Sequence, residues 1–174
     1  MNINMIETGM LGENCYVLMK DGQALVIDPG DDFPKIQSAY QGKKVLGILI
    51  THHHFDHVGA LEQVKKDTNA KVFEYENLEE KQYQMGPFTF EVVFTKGHSK
   101  DSVTYYFKEY DCMFVGDFLF QNSIGRMDLE GGSESDMRKS LELIKKFPQD
   151  TILYPGHGPM TTLKQERKYN PFLQ

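Results

Sequence analysis

No stretch of this 174-residue sequence is apolar over the roughly 18 residues that a membrane-spanning helix needs, which argues against an integral helical membrane protein. The first ten residues also lack a basic segment followed by an apolar run, so no export signal is visible. We therefore expect a cytoplasmic protein with no membrane partner.

Positive charge is scarce as well. The sequence has 19 Lys and Arg against 25 Asp and Glu, for a formal net charge of −6. Nucleic acids and anionic membranes recruit surfaces rich in Lys and Arg, so neither is expected as the main partner. Part of the negative charge would be explained by acidic metal ligands, because bound cations compensate such charge.

Cysteine is rare. The two cysteines, Cys15 and Cys112, are far apart in the sequence, and both lie in apolar, strand-like runs. In a reducing compartment such residues are typically buried free thiols. We expect neither a disulfide bond nor a cysteine metal ligand.

What the sequence does contain is typical of a globular fold, with 40% hydrophobic and 25% charged residues. The length suits one domain, and we predict a single domain over residues 1–174. Apolar runs rich in β-branched and aromatic residues predict eight strands. These runs are 15–19, 24–27, 45–50, 71–75, 88–94, 103–107, 112–115 and 151–154.

Helical spacing of apolar residues appears between the strands. Helices are predicted at 34–40, 58–68, 134–147 and 162–168. The third is the clearest, because Met137, Leu141 and Ile144 share one face, and Ser133 with Asp136 resembles a capping-box start. Two blocks of strands, each followed by helices, indicate an α/β (α+β) fold in which helices cover the outer faces of a two-sheet sandwich.

All six histidines fall in three short stretches: Thr-His-His-His-Phe-Asp-His at 51–57, Thr-Lys-Gly-His-Ser at 95–99 and Pro-Gly-His-Gly at 155–158. A neutral imidazole is a common ligand of transition metals near neutral pH, and a carboxylate adds negative charge. A single histidine often only satisfies a hydrogen bond of the fold. The H-x-H-x-D-H pattern with two later Gly-His turns instead indicates a metal site.

Each of these motifs follows a predicted strand, as do two aspartates, Asp28 and Asp117. If the strand ends share one edge of the sandwich, these side chains converge there. Residues two apart in an extended segment point the same way, so His52 and His54 can bind one ion while His53 faces elsewhere.

The remaining residues of the motifs complete two sets of ligands. His98 would complete the three-histidine set of the first ion. Asp56 and His57 follow a turn at the start of a helix and can bind a second ion, together with His157. Asp117 is the remaining acid suited to bridge both ions.

This arrangement resembles the metallo-β-lactamase superfamily, whose pattern of H-x-H-x-D-H, a lone His, a bridging Asp and a final His is met at every step. The resemblance covers nearly the whole chain. Within the superfamily, Val-Gly-Asp-Phe-Leu-Phe at 115–120, Ser-Ile-Gly-Arg-Met-Asp-Leu at 123–129 and Gly-His-Gly-Pro-Met-Thr at 156–161 are similar to the single-domain, glyoxalase II-like (hydroxyacylglutathione hydrolase-like) branch. The resemblance implies a four-layer αββα sandwich with two divalent metal ions, zinc by default, although this branch also accepts iron or manganese.

The resemblance also implies a thioesterase that hydrolyses S-acylglutathione or a similar small thioester. Two ions a few ångströms apart lower the pKa of a bridging water, which supplies hydroxide, while one ion polarises the substrate carbonyl. Asp117 and Asp56 are the catalytic candidates, and Asp56 could also manage the proton. Asp28 matches the family's buried acid that orients a ligand histidine. The alternative is that it only forms the turn before Pro29 and Gly30.

The sequence departs from full-length glyoxalase II in two respects. Around His98 it reads Lys-Gly-His-Ser-Lys at 96–100, where relatives usually place a proline, and the second difference concerns the C-terminal domain. Those enzymes have a helical C-terminal domain with basic contacts to glutathione, and no such domain is expected here. Either the substrate differs, or other groups bind an anionic tail. The candidates for that role are Arg126, Lys164, Arg167 and Lys168. Their alternative roles are a structural salt bridge for Arg126 and a solvated helix face for the other three.

Other activities stay open. A persulfide dioxygenase-like oxidoreductase uses the same fold with one iron on two histidines and one aspartate, and the second-site residues occur in both families. A β-lactamase is disfavoured, because the usual zinc lactamases place Cys where this chain has Asp117. A non-catalytic metal-stabilised binding module would lack a ligand, and none is missing. A nuclease of this superfamily would be expected to have a large extra domain and a basic groove, and neither is visible in the sequence.

Overall fold

The structure, a computed structural model, describes all residues, 1–174. It has thirteen strands and five α-helices. The strands are β1 (Asn2–Thr8), β2 (Glu13–Lys20), β3 (Gln23–Ile27), β4 (Lys44–Leu49), β5 (Lys71–Phe73), β6 (Gln82–Met85), β7 (Phe88–Phe94), β8 (Val103–Phe107), β9 (Cys112–Gly116), β10 (Leu119–Phe120), β11 (Ser123–Ile124), β12 (Ile152–Pro155) and β13 (Thr161–Thr162). The helices are α1 (Phe33–Tyr40), α2 (Phe55–Val58), α3 (Leu61–Thr68), α4 (Glu134–Ile144) and α5 (Leu163–Tyr169). None of them combines the length and the apolar character needed to span a bilayer.

Two mixed sheets carry most of the strands. The first has the order β1-β2-β3-β4-β5, and the second has the order β13-β12-β9-β8-β7-β6. In the first sheet β3, β4 and β5 run parallel, and in the second β9 and β12 run parallel. The short strands β10 and β11 form a separate hairpin. Parallel neighbours need crossover connections, which is why α1, α3 and α4 lie between them in the sequence.

Successive side chains of a strand point to opposite faces of its sheet, and the buried ones form three apolar layers. On β3, Leu25 and Ile27 face the second sheet, where they join an aromatic-rich cluster that includes Phe90 and Phe114. Ala24 and Val26 of the same strand face the opposite way and pack under α1 and α3. Side chains two apart on a strand share one face, so one strand serves both layers.

The outer face of the second sheet is covered in the same way. Met137, Leu141 and Ile144 of α4 pack with Met113 and Leu153 of the sheet. Helices therefore lie outside both sheets, and the predicted four-layer αββα sandwich is confirmed.

The elements match the predicted ones closely, with two kinds of difference. All eight predicted strands are present, but β1, β6, β10, β11 and β13 were not predicted. The helix predicted at 58–68 begins later, as α3 at Leu61, and a separate short helix, α2, ends at Val58. Between them the backbone N–H of Ala60 donates to the carbonyl oxygens of Pro29 and Gly30, at 3.0 Å each, so the chain turns toward the β3 end at this point.

Both cysteines are buried free thiols, as predicted. Cys15 lies on β2 and Cys112 on β9, and neither belongs to the clusters of metal-binding side chains.

Candidate metal centre

The predicted ligands converge at one edge of the sandwich because the strands that precede them end there. Asp28 follows β3 and His52 follows β4, at the carboxyl ends of two parallel strands of the first sheet. Asp117 follows β9 and His157 follows β12, at the ends of two parallel strands of the second. His98 lies in the loop after β7. Both sheets therefore contribute to one site.

The first cluster consists of three imidazoles. His54 Nδ1 lies 3.1 Å from His52 Nε2 and 2.9 Å from His98 Nε2. These three nitrogen atoms could hold one metal ion. The structure thus brings together the three histidines that the sequence assigned to the first ion.

The second cluster joins Asp56, His57 and His157. Asp56 Oδ2 lies 3.1 Å from His157 Nε2 and 3.9 Å from His57 Nε2. His57 is fully buried, whereas Asp56 and His157 are partly exposed. This cluster corresponds to the set that the sequence assigned to a second ion.

Asp117 lies between the two clusters. Its Oδ1 is 3.3 Å from His57 Nε2, and its Oδ2 is 3.6 Å from both His98 Nε2 and His157 Nε2. One carboxylate therefore faces histidines of both sets. This is the position that a bridging ligand requires.

The chemistry of these side chains fits divalent transition metals. His57 Nε2 and Asp117 Oδ1 are buried without a hydrogen-bond partner, which is costly unless another group binds them. A Cβ atom at Gly156 would lie 2.3 Å from Asp117 Oδ1 and 2.5 Å from His57 Cε1, so only glycine leaves this space open. Imidazole and carboxylate donors without thiolate suit zinc, iron and manganese.

Protonation also favours metal binding by the first cluster. Burial lowers the pKa of His52 well below its usual value, and the neighbouring histidines lower it further. Burial and the adjacent His98 also lower the pKa of His54. Both imidazoles are therefore neutral at pH 7, which is the form that coordinates a metal.

In the second cluster, contacts between carboxylates and His57 outweigh burial and set the direction of the pKa shifts. Burial acts to lower the pKa of His57, but the Asp117 and Asp28 carboxylates beside it outweigh burial and raise that pKa well above its usual value. Burial acts to raise the pKa of Asp117, but His57 outweighs it and holds that pKa below its usual range. Negative charge is thus concentrated at this point, which favours a bound cation.

Four histidines are oriented by hydrogen bonds on the ring nitrogen that faces away from the clusters. His57 Nδ1 lies 3.0 Å from Asp28 Oδ2. His98 Nδ1 lies 2.8 Å from the carbonyl oxygen of Arg126, and His157 Nδ1 lies 3.2 Å from that of Leu11. A ring that donates through Nδ1 keeps the lone pair of Nε2 for a metal.

The fourth oriented histidine is His52, whose Nδ1 lies 3.1 Å from Thr51 Oγ1. The Thr51 hydroxyl donates in turn to Asp28 Oδ2, and the Thr51 N–H donates to Asp28 Oδ1. Asp28 therefore supports a histidine of each ligand set. It also adopts a left-handed backbone conformation, with φ of 48°, so the two roles considered for it coexist.

No sequence pattern indicated three acidic side chains that lie near the site. Glu13, at the start of β2, is buried, and its Oε1 lies 3.8 Å from His57 Nδ1. Burial raises the pKa of Glu13 to about 9. Asp101 and Glu74 contact His53, whose pKa their carboxylates raise to about 9 although burial opposes this. Single carboxylates are common in any sequence, so only the fold identifies these three.

The predicted substrate contacts are less closely associated with the clusters. The Arg126 side chain is exposed and pairs with Asp128, with both bonds 2.7 Å long. Arg167 donates to the carbonyl oxygens of Lys145 and Phe147, near the end of α4. Lys164 is exposed. Neither Arg167 nor Lys164 makes a hydrogen bond or ion pair with a predicted metal ligand.

A cavity of about 330 Å³ adjoins the second cluster. Its lining includes Met10 and Leu11 of the β1–β2 turn, Phe55 of α2, and the acidic residues Asp31 and Asp56. Leu11 is 58% exposed and Phe55 is 75% exposed. A larger cavity of about 910 Å³ lies around the C-terminal ends of α1 and α3, and no predicted site residue lines it.

The chain is similar in sequence to a known protein family and to several of its members. Residues 8–82 and 74–157 match the family model described as the metallo-beta-lactamase superfamily. The chain is 35% identical to the "Probable metallo-hydrolase YqgX" of Bacillus subtilis, covering 95% of this chain and 94% of the relative. It is 31% identical to the "Hydroxyacylglutathione hydrolase GloC" of Haemophilus influenzae, with 99% and 98% covered.

Two solved structures are similar over nearly the full length. The BLEG-1 B3 metallo-beta-lactamase superposes with a TM-score of 0.95 at 34% identity, covering 99% of this chain and 100% of that chain. TTHA1623, in a di-iron-bound form, superposes with a TM-score of 0.89, also at 34% identity, with 98% and 100% covered.

Proposed function

We propose that this chain, which belongs to the metallo-β-lactamase superfamily, hydrolyses S-acylglutathione or a similar small thioester with a centre of two divalent metal ions. The observation that carries the proposal is the position of Asp117 between two separate clusters, each with three side-chain donors. Each cluster brings together enough donor atoms to hold an ion of its own.

The residues have distinct parts in this proposal. His52, His54 and His98 would hold one ion, and the cluster of Asp56, His57 and His157 would hold the other. Asp117, which lies between the two clusters, would be a ligand of both. Divalent ions bound there supply Lewis acidity, which polarises an acyl carbonyl and lowers the pKa of water toward neutrality.

Asp56 is the group best placed to handle the proton of the attacking water. It belongs to the second cluster and also lines the cavity of about 330 Å³, so its carboxylate faces both the metal ligands and the space where substrate would lie. A thiolate is a good leaving group and needs little help from a general acid. The scarcity of other acid-base groups in the cavity is therefore consistent with a thioester.

The surroundings of the site favour one orientation of the substrate. The cavity beside Asp56 combines apolar side chains with the acidic Asp31, so it suits a neutral acyl group better than an anionic one. The Arg126 carbonyl oxygen lies 2.8 Å from His98 Nδ1, so we assign an anionic tail of the substrate to the guanidinium of this residue, which is exposed and pairs with Asp128. The acyl group would then lie against Leu11 and Phe55.

The relatives support the finer parts of the proposal. The name of the Haemophilus influenzae relative supports S-acylglutathione as the substrate. The di-iron form of TTHA1623 supports a binuclear centre and makes iron a candidate beside zinc and manganese.

β-Lactam hydrolysis is a second candidate, because BLEG-1, with a TM-score of 0.95, is named a B3 metallo-beta-lactamase. This likeness weakens the objection that the usual zinc lactamases place Cys at position 117. Nitrocefin turnover is therefore a necessary part of any functional test.

The test combines elemental analysis with a substrate panel of S-lactoylglutathione, acetyl thioesters, nitrocefin and glutathione persulfide. We expect two metal ions per chain and turnover of thioesters above all other substrates. His54→Ala should bind no more than about one ion per chain. Its thioesterase activity should fall by more than the 10- to 100-fold that is typical when a residue hydrogen-bonded to a metal ligand is replaced. Glu62→Gln, an exposed change on α3, should match the wild type.

Two outcomes would contradict the proposal. A folded His54→Ala variant with unchanged metal content and thioesterase activity would refute the ligand assignment. One iron per chain with oxygen consumption on the persulfide, and no thioester turnover, would favour the persulfide dioxygenase alternative instead.

A further inference from the structure

His53 stands between two predicted metal ligands, but its side chain contacts neither cluster. Its ring Nδ1 lies 2.7 Å from Asp101 Oδ2. The backbone N–H of His53 donates to the same oxygen, at 3.2 Å. One carboxylate oxygen therefore fixes both the ring and the main chain of residue 53.

The other edge of the ring is held as well. His53 Nε2 lies 2.9 Å from Glu74 Oε2. Glu74 follows β5 directly, and its own N–H donates to the side chain of Asn77, which donates to the carbonyl oxygen of Val72. The acceptor on this side is thus anchored to the first sheet.

Asp101 is carried by a loop of the other sheet. It lies in the loop between β7 and β8, three residues after His98, and only 9% of it is exposed. The bond between Asp101 and His53 therefore joins the loop that carries His98 to the turn that carries His52 and His54. A backbone bond of 2.8 Å from Val103 N–H to the Thr51 carbonyl runs beside it.

We propose that His53, Asp101 and Glu74 form a clamp that fixes the His52–His54 turn against the His98 loop, so that the three imidazoles of the first cluster converge before metal binds. The members of the clamp are positioning residues. Three ligands that come from two sheets lose freedom when an ion binds them. A clamp that orders them beforehand reduces that cost and raises affinity.

The same side chains could instead be ligands of a further ion, because His53, Glu76 and Asp101 lie close enough to share one. Both ring nitrogens of His53, however, already face carboxylates at hydrogen-bond distance. A ring in that position has no free lone pair for a metal. Glu76 makes no such contact with His53, so it distinguishes the two interpretations.

The inference rests on the proposed metal centre but not on the proposed thioesterase activity. Its test uses zinc alone with the purified full-length chain, measured by competition against a chelator of known affinity. His53→Ala and Asp101→Ala should each weaken zinc binding about 10- to 100-fold, while two ions still bind at saturation. Asp101→Asn keeps an oxygen acceptor and should lose less. Glu76→Gln should bind zinc as the wild type does.

The clamp also predicts non-additivity, because both changes remove the contact between the His53 ring and Asp101. The double variant His53→Ala/Asp101→Ala should bind zinc about as weakly as the weaker single variant. Far-UV circular dichroism of the metal-free proteins checks that each variant is folded, and Asp101→Asn carries the test if Asp101→Ala does not fold.

Three results would overturn the inference. Zinc affinities of His53→Ala and Asp101→Ala within twofold of the wild type would show that the contacts do not position ligands. Loss of one ion per chain in both Glu76→Gln and Asp101→Ala would identify a further metal site in place of the clamp. A wild-type chain that binds no zinc, iron or manganese would refute the metal centre itself, and the clamp with it.

Discussion

Glu13 is a buried carboxyl group beside His57, a proposed metal ligand, and only part of its hydrogen-bonding capacity is used. The Thr8 hydroxyl donates to its Oε2 at 2.7 Å, while Oε1 has no partner. Burial, which disfavours a charged carboxylate, raises the pKa of Glu13 to about 9. In the metal-free protein this carboxyl group is therefore neutral at pH 7, whereas in the unfolded chain it is ionised.

This difference predicts a pH-dependent effect of Glu13→Gln. The folded state keeps a proton that the unfolded state releases above about pH 4.5, so the free energy of unfolding falls as pH rises from about 4.5 to about 9. Glutamine cannot ionise and lacks this loss. We expect the stability of Glu13→Gln relative to wild type to increase by on the order of 4 kcal/mol between pH 5.5 and 8.5.

The measurement is urea unfolding of the chelator-treated proteins at both pH values. Glu7→Gln is a matched control, because Glu7 is exposed on the neighbouring strand β1. It should leave the pH dependence unchanged. A stability difference between Glu13→Gln and wild type that is the same at both pH values would show that Glu13 ionises as it does in water.

At the scale of residues, the sequence predicted side chains that recur in a motif and missed those that act through distant contacts. The H-x-H-x-D-H spacing identifies its members without a structure. Asp101 reaches His53 from 48 positions away, and Arg126 supports His98 through a backbone carbonyl, which any residue has. No local pattern encodes such pairs.

At the scale of elements, helix α4 begins beside the His98 loop. The N–H of Ser133 donates to the carbonyl oxygen of Gly97 at 2.8 Å, and Ser133 Oγ accepts from the N–H of Asp136. A Cβ atom at Gly97 would lie 2.5 Å from Met137 Cα, so this loop packs directly on the first turn of α4. The predicted helix start is confirmed, and it adjoins the metal centre.

Removal of this cap should destabilise the protein. Ser133→Ala leaves the Asp136 N–H without its acceptor, at an expected cost of about 1 kcal/mol in the free energy of unfolding. Ser38→Ala is the control, because the Ser38 hydroxyl bonds within α1 to the Pro34 carbonyl, where alanine is a better helix former. Urea unfolding should rank Ser133→Ala below both Ser38→Ala and wild type. Equal stabilities of the two variants would show that the cap contributes nothing.

The predicted elements are those whose burial leaves a periodic apolar pattern. β3 and α4 have such patterns and were found. β1 is mostly exposed, and β10, β11 and β13 have two residues each. Their sequences therefore contain no periodic pattern of apolar residues from which a strand could be predicted. The break between α2 and α3 comes from a contact of Ala60 with the turn after β3, which the helical spacing of 58–68 could not indicate.

At the scale of the whole molecule, the metal centre joins the two sheets along one edge. Asp28 and His52 follow strands of the first sheet, whereas His98, Asp117 and His157 follow strands of the second. The sandwich was predictable because blocks of strands and helices alternate along the chain. Which strand ends meet depends on strand order, and periodicity does not indicate that order, so the convergence of these ends could only be stated as a condition.

A centre that joins both sheets couples metal binding to global stability. Ions that bind only the folded state raise the free energy of unfolding by about 2.7 kcal/mol per site at a free concentration of 100 Kd. For a chain of this length each kcal/mol corresponds to about 2–4 °C in Tm. We therefore expect chelation to lower the Tm of the metal-loaded protein by roughly 5–10 °C for each site emptied.

Thermal scans with and without a chelator, at several zinc concentrations, measure this effect. His54→Ala should show a smaller rise of Tm with zinc, because one cluster lacks a ligand, whereas the exposed change Glu62→Gln should retain the full response. Residual binding of zinc by histidines of the unfolded chain reduces the shift but does not reverse its sign. A Tm of the metal-loaded protein that does not change with chelator would show that the ligands hold the two sheets together without any ion.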